Sequence, residues 1–433
     1  MKRVAERAFR ETLAAIRIPA TIERKLARQG SRIFINGAAF DLRHFDEILG
    51  IAFGKASFAM AEGLTAALAP DFRPQGILVV PAQPPGEIPG WRSFIGGHPV
   101  PNEGSFAAGR AILDRLARCN DRSLVFFLIS GGGSALVEQP LDSSITLADF
   151  QKLHAALVTC GAGIEEINIV RKHLSATKGG RLAAAAAAAT KLTLAISDVP
   201  EGSESALASG PTLPDSSTAA DAVRIAAQYG LLERLPPALR RALDEHSMRE
   251  TPEPGHAAFS RAHFSLLLGL HDLFHAAHHA CEAEGFSCVC DNSTDGWPLE
   301  KAADHLLALL EAQRAASPGR CVAVIADGEL SSPVAGDGIG GRNSAFVLAC
   351  VPKIAGKGIT VLSAGTDGVD GNSPAAGAVA DGETLARARA ARLDPADFQR
   401  RSDAYNFFAP LGDAILTGPT GNNLRDLRIL LAC

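Results

Sequence analysis

Residues 124–136 read Leu-Val-Phe-Phe-Leu-Ile-Ser-Gly-Gly-Gly-Ser-Ala-Leu, and this stretch decides the fold class. Its apolar run shows no polar alternation, the pattern of a strand buried on both faces in a parallel, helix-covered sheet. The run empties into Ser130, Gly131, Gly132, Gly133 and Ser134 before a further apolar, helical stretch. Consecutive glycines let neighbouring backbone N–H groups converge, and a following helix N-terminus adds about half a positive charge. The turn reads as an anion cradle, with phosphate as its natural occupant, or else as a flexible strand-to-helix turn.

The same texture repeats on either side. Segments 48–53, 76–80 and 191–196 are continuous apolar runs bounded by turn residues and are expected to be strands, with helices at 105–118 and 180–190 between them. Ligands of such open sheets collect at the carboxyl ends of the strands, so the turns after these runs are where chemistry is to be sought. Between Gln228 and His263 the pattern loosens into Pro-rich segments, which places a domain junction there and predicts domains over 1–245 and 260–433. Beyond it, helices at 265–284 and 299–315, a strand at 321–326, a helix from Asn343 and a strand at 358–363 make a second α/β unit. The N-terminal 27 residues alternate charged and apolar positions at helical spacing and read as a surface helix.

Composition bounds the function. With 433 residues, 47% hydrophobic and 21% charged, the chain has ordinary globular usage, and a net charge of −5 offers no field to draw nucleic acid or anionic lipid. No apolar run approaches the ~18 residues of a membrane span. The eight cysteines contain no CxxC pair, which suggests reduced thiols in a cytoplasmic setting. Small molecules are the expected partners.

Several other turns carry chemical residues. Gly54-Lys55 follows the 48–53 strand, but Gly50 is one residue too close and Ala56 stands where a P-loop needs a hydroxyl. Lys55 remains a point charge suited to phosphate or carboxylate, or else a plain surface lysine. Gly336-Asp-Gly-Ile-Gly-Gly matches GxGxxG but lies ten residues past its strand, the wrong context for a dinucleotide turn. Arg342 and Asn343 behind it suit the clamping of an anion. Arg171, Lys172, His173, Lys178 and Arg181 crowd into eleven positions and ask for an anionic ligand, unless they form a solvated helix face. Asp198, Asp367 and Asp370 occupy acidic turns after strands, where carboxylates hold Mg²⁺, accept a proton or merely cap amides. His98 lies in a rigid turn before a helix capped by Asn102. His271, His275, His278 and His279 recur at helical spacing with no zinc-type partner beside them.

The motifs GHPVPNEGS, FLISGGGSAL, EINIVRKHLSATKGGRLAAA, LAISDVP, SGPTLPDSST, GIGGRN, AGTDGVDG and GDAILTGPT stand in the order and spacing of one family. The chain resembles the glycerate 2-kinase family, two-domain proteins with a MOFRL C-terminal domain, often labelled hydroxypyruvate reductase of tartrate utilisation. The resemblance runs over nearly the whole chain. It implies an N-terminal Rossmann-like α/β/α sandwich, a second α/β domain, a cleft between them, and ATP- and Mg²⁺-dependent phosphorylation of the 2-hydroxyl of D-glycerate. It further points to Lys55 and Arg342 as the basic pair, and within that cleft Asp198 is the candidate base. Ser130, Gly131, Gly132, Gly133, Ser134 and Lys172 are then expected at phosphate, His98, Asn168, Arg171 and Asn343 at substrate, and Asp367 with Asp370 at metal. Homodimerisation stays open. The chain departs from the family pattern at Asp327, Ser344 and Ala345; if an acid at 345 orients Arg342 elsewhere in the family, substrate or efficiency differs here. A nicotinamide-dependent reductase and a weakened sugar-acid binder are the alternatives.

Overall fold

The computed structural model describes residues 1–197, 199, 202–243, 248–422 and 424–433. Two compact units emerge, one of Ile18–Leu267 and one joining Met1–Arg17 to Leu268–Cys433.

After a small hairpin of β1 (Arg32–Ile35) and β2 (Ala38–Asp41), the first unit builds a six-stranded sheet. Its strands are β3 (Glu47–Phe53), β4 (Gln75–Val80), β5 (Trp91–Ile95), β6 (Ser123–Ile129), β7 (Thr190–Ile196) and β8 (Ala262–Leu268), in the order β5-β4-β3-β6-β7-β8. The pairings among β3 to β7 are all parallel. Every residue of β6 and β7 is buried, as expected for strands covered on both faces. Asn102 caps the Glu103–Leu116 helix by accepting from the Ser105 N–H at 2.9 Å.

The second unit has β9 (Ser287–Asp291), β10 (Val322–Asp327), β11 (Ile359–Gly365), β12 (Gly377–Asp381), β13 (Ala414–Ile415) and β14 (Asp426–Ala432), in the order β13-β12-β11-β14-β10-β9. β14 runs antiparallel to both β10 and β11, pairing Asp327 with Leu427 and Gly365 with Asp426. The ends of β10 and β11 and the start of β14 therefore share one edge of the sheet.

Three expectations change. Segment 262–268 is a strand beside β7, not the start of a helix, so the junction falls at Leu267/Leu268 instead of between 245 and 260. The N-terminus is two helices, Lys2–Ala15 and Ile18–Leu26, which break before Pro19 and belong to different units. Neither lies wholly on the surface: Ala5, Ala8, Phe9 and Thr12 form a buried stripe on the first. Finally, Cys321 and Cys433 are disulfide-bonded, against the expectation of reduced thiols. The Val322–Ala432 register brings them together from a sequence separation of 112, which no local spacing reveals. Among the described residues no helix is long and apolar enough to cross a membrane.

Candidate active site

The chain lays β3, β4 and β5 to one side and then returns to place β6 on the free flank of β3. That reversal is a topological switch point, where the turns leaving neighbouring strands diverge and open a crevice. Phe53 pairs with Ile129, so the turns starting at Gly54 and Ser130 stand side by side. They interlock: the Ala56 N–H donates to Ser130 Oγ at 3.0 Å and the Lys55 N–H to the Gly131 carbonyl at 2.9 Å. Gly132 has φ +82°, and a Cβ there would sit 3.0 Å from His98 Cδ2 and 3.4 Å from Lys55 Cγ. Lys55, His98 and the 130–134 turn thus converge. Burial and the Lys55 charge hold His98 below the ordinary imidazole range.

Beside Gly132 and Ser134 lies a cavity of about 190 Å³, whose lining includes His98, Glu138, His154, Arg171 and Lys178. Glu138 and Lys178 form a buried ion pair at 2.6 Å, and Glu138 also accepts from the Ser175 hydroxyl. Burial lowers the Lys178 pKa, with Glu138 opposing. Arg171 approaches His154 Nδ1 at 2.9 Å. Burial lowers the Arg171 pKa, yet a guanidinium stays charged. Burial first, then the charge of Arg171, holds His154 below its usual value.

Other predicted residues are placed differently. Asn168 is buried and accepts from Ser209 Oγ at 3.1 Å; Ser209 in turn meets Ser134 Oγ at 2.9 Å, so Asn168 braces the turn from behind. Ser209 and Ala208 hold positive φ angles of 61° and 50°, strained for side-chain-bearing residues. Lys172, expected at phosphate, is buried against Asp215 at 3.0 Å, which consumes its charge. Asp198 lies outside the described residues.

In the second unit Arg342 opens the Arg342–Ile354 helix. Its Nε donates to Asp426 and its Nη2 meets Glu329 at 2.9 Å. Burial works against its charge, but Asp426 and Glu329 more than offset this and raise its pKa. These two acids orient Arg342, so an acid at 345 is not needed for that task. Asn343 is buried; its side-chain oxygen accepts from the Ser363 hydroxyl at 2.6 Å and its backbone N–H donates to Asp370. Asp370 accepts from the Asn343 and Ser344 N–H groups, each at 2.9 Å, and from Ser344 Oγ at 2.6 Å. It caps the helix from outside and is no free ligand. Asp367 accepts from the Val369 N–H at 3.1 Å within its own turn. Among the described residues no group of three His, Cys, Asp or Glu side chains is placed to hold a metal. Asp370, whose carboxylate already takes three donors, does not fit the metal role expected of it. The 336–341 glycines lead from a loop, not from the end of β10, and pack on the 401–405 segment: the Gly338 N–H donates to the Arg401 carbonyl.

Residues missed in the sequence complete this edge. Arg428 is buried, donating to the Gly328 carbonyl at 2.8 Å, and Arg425 grips Asp295 at 2.7 Å. Burial pushes Asp327 up to about 6 despite Arg425 and Arg428, and its Oδ2 has no partner among the described residues. The Arg-Asp-Leu-Arg run at 425–428 was the available signal.

The model described as "Domain of unknown function (DUF4147)" matches residues 4–244 and that of the MOFRL family matches 322–426. The D-glycerate 2-kinase of Thermotoga maritima is 33% identical over 89% of this chain and 91% of its own length. A protein of Agrobacterium vitis named putative hydroxypyruvate reductase is 38% identical over 88% of this chain and 86% of its own. The crystal structure of the Thermotoga maritima glycerate kinase superposes with a TM-score of 0.87 at 32% identity, covering 100% of this chain and 99% of that one. By sequence and by fold, the chain belongs to the two-domain family in which a DUF4147 domain is joined to a MOFRL domain.

Proposed function

We propose that this protein is a kinase that transfers a phosphoryl group from ATP to the 2-hydroxyl of D-glycerate. The observation that carries the reading is the convergence of Lys55, His98 and the 130–134 turn at the switch point of the first sheet, in a chain whose relatives include named glycerate kinases. Phosphoryl transfer asks for positioned charge and amide donors more than for covalent chemistry. Lys55 supplies the point charge and the glycine turn the N–H groups. Arg342, oriented by Glu329 and Asp426, is the second cation, and Asp198 is assigned as base. A Mg²⁺ ion would be held by the nucleotide's own phosphates and water, as that ion prefers. A cytoplasmic setting, where ATP is at hand, belongs to the same reading.

The test is a coupled ADP-release assay over a panel of small hydroxy acids, with a parallel arm of hydroxypyruvate and NADH or NADPH. ADP release with D-glycerate and a flat nicotinamide absorbance support the kinase. Nicotinamide oxidation without ADP release favours the reductase, and thermal stabilisation by the acid without turnover favours a binding protein.

A further inference from the structure

We infer that Cys288, in the second unit, is the thiol of this chain that reacts with a hydroperoxide, and that Cys281 resolves it to an intramolecular disulfide. The inference stands apart from the kinase reading, because it is read from the thiols and not from ADP release.

Local folding brings the pair together. Cys281 lies buried in the last turn of the Leu270–Ala283 helix. The chain then turns back through Gly285, at φ +87°, and the Phe286 N–H donates to the Cys281 carbonyl at 3.1 Å, so β9 starts beside the helix end. Cys288 Sγ reaches the Phe286 carbonyl at 3.6 Å and, from the preceding helical turn, the His278 carbonyl at 3.8 Å. The two thiols are hydrogen-bonded, one buried and the other half-buried.

Burial decides which sulfur reacts. A thiolate costs less at the edge of water than inside the core, so Cys288 ionises first and the Cys281 S–H donates to it. That donation holds the Cys288 thiol below its ordinary range, against burial and the Glu282 carboxylate, while the same bond and burial push Cys281 up. A reachable, acidic thiol backed by a second one is what a peroxide-sensitive cysteine requires. Cys290 is the natural competitor, being exposed and 3.7 Å from His278 Nδ1. Burial of its sulfur, then Cys288 and Asp327, hold its thiol up instead. Burial does the same to Cys119 and Cys350. The chemistry closes in two steps. The Cys288 thiolate attacks one peroxide oxygen; the S–O bond forms, the O–O bond breaks, and the departing alkoxide takes the thiol's proton, leaving a sulfenic acid. The Cys281 sulfur then attacks that of Cys288; the S–S bond forms, and the hydroxyl leaves as water with the Cys281 proton. Two thiols and one hydroperoxide thus give a disulfide, an alcohol and water.

The experiment treats the wild type and the Cys281→Ser, Cys288→Ser and Cys290→Ser variants with a slight excess of hydrogen peroxide. Free thiols are then counted in denaturant, and peptides cut at Glu284 are mapped without reductant. In the wild type the count should fall from six to four, with Cys281 linked to Cys288, and a dithiol should reopen the link. Cys281→Ser should stop at the sulfenic acid of Cys288, trapped as its dimedone adduct. Cys288→Ser should consume peroxide at least about 10-fold more slowly, while Cys290→Ser should match the wild type. If Cys281→Ser does not fold, the wild-type map and the Cys288→Ser rate carry the assignment. Oxidant landing first on Cys290, a disulfide that includes Cys290, or an undiminished rate in Cys288→Ser would overturn it. Each of these results leaves the kinase standing, since ADP release is measured on the untreated protein.

Discussion

Replacing Gly54 by alanine should damage both the stability of the first unit and its turnover. Gly54 has φ +124°, which side-chain-bearing residues rarely adopt, and a Cβ there would lie 2.2 Å from Ser130 Oγ and 2.5 Å from the Ser130 carbonyl oxygen. The backbone strain costs about 1–3 kcal/mol and the overlap, partly against main chain, about another 1–3 kcal/mol. With each kcal/mol worth about 2–4 °C in a domain of this size, the unfolding midpoint should fall by roughly 4–24 °C. The Ser130 contacts that seat the 54–56 turn would shift with it, carrying Lys55 and lowering kcat. Gly30 is the control: it has φ +62° in the same unit, but nothing lies within 4 Å of its added Cβ, so Gly30→Ala should cost only about 1 kcal/mol. Circular-dichroism melts with coupled ADP release would check this. A Gly54→Ala protein that melts and turns over no worse than Gly30→Ala would refute the claim that the two strand-end turns are locked together.

Further outcomes follow from the same geometry. Lys55→Ala and Arg342→Ala should each lower kcat/KM by at least about 100-fold if they stabilise developing phosphoryl charge; near-normal rates in both would remove them from the mechanism. Glu138→Gln should destabilise the first unit by about 3–5 kcal/mol, because it strands the buried Lys178 ammonium, and denaturant titration would read the loss. Asp327, raised to about 6, contributes stability that is fully present below the unfolded carboxyl value near 4 and lost as pH rises through 6. Asp327→Asn should therefore gain stability relative to wild type as pH rises from about 4 to about 6, by at most about 3 kcal/mol; parallel pH profiles would contradict this. Cys433→Ser, or reduction of the wild type, should cost the second unit about 2–4 kcal/mol by releasing its closed loop, seen as a lower melting point under reductant.

The strand at Ser123–Ile129 and its glycine turn were legible because burial on both faces leaves an unbroken apolar run, and because only glycine suits the conformation that follows. The Asn102 cap was legible for an equally local reason. β8 was not: its burial alternates irregularly, and apolar residues at that spacing serve a helix as well as an edge strand. Charge-rich segments announced that cations were present but not which were spent. Lys172 and Lys178 are consumed by Asp215 and Glu138, and those partners come from distant elements. The acids that hold Arg342 reach it only through the antiparallel placement of β14, and the same strand joins Cys433 to Cys321. His154 gave no sequence signal beyond being one histidine on a helix.

The most direct measurement is phosphorus NMR of the products formed from ATP and D-glycerate by the purified wild-type protein. The account predicts 2-phosphoglycerate in a one-to-one ratio with ADP. A 3-phosphoglycerate product, or unchanged ATP beside nicotinamide-dependent consumption of hydroxypyruvate, would contradict it.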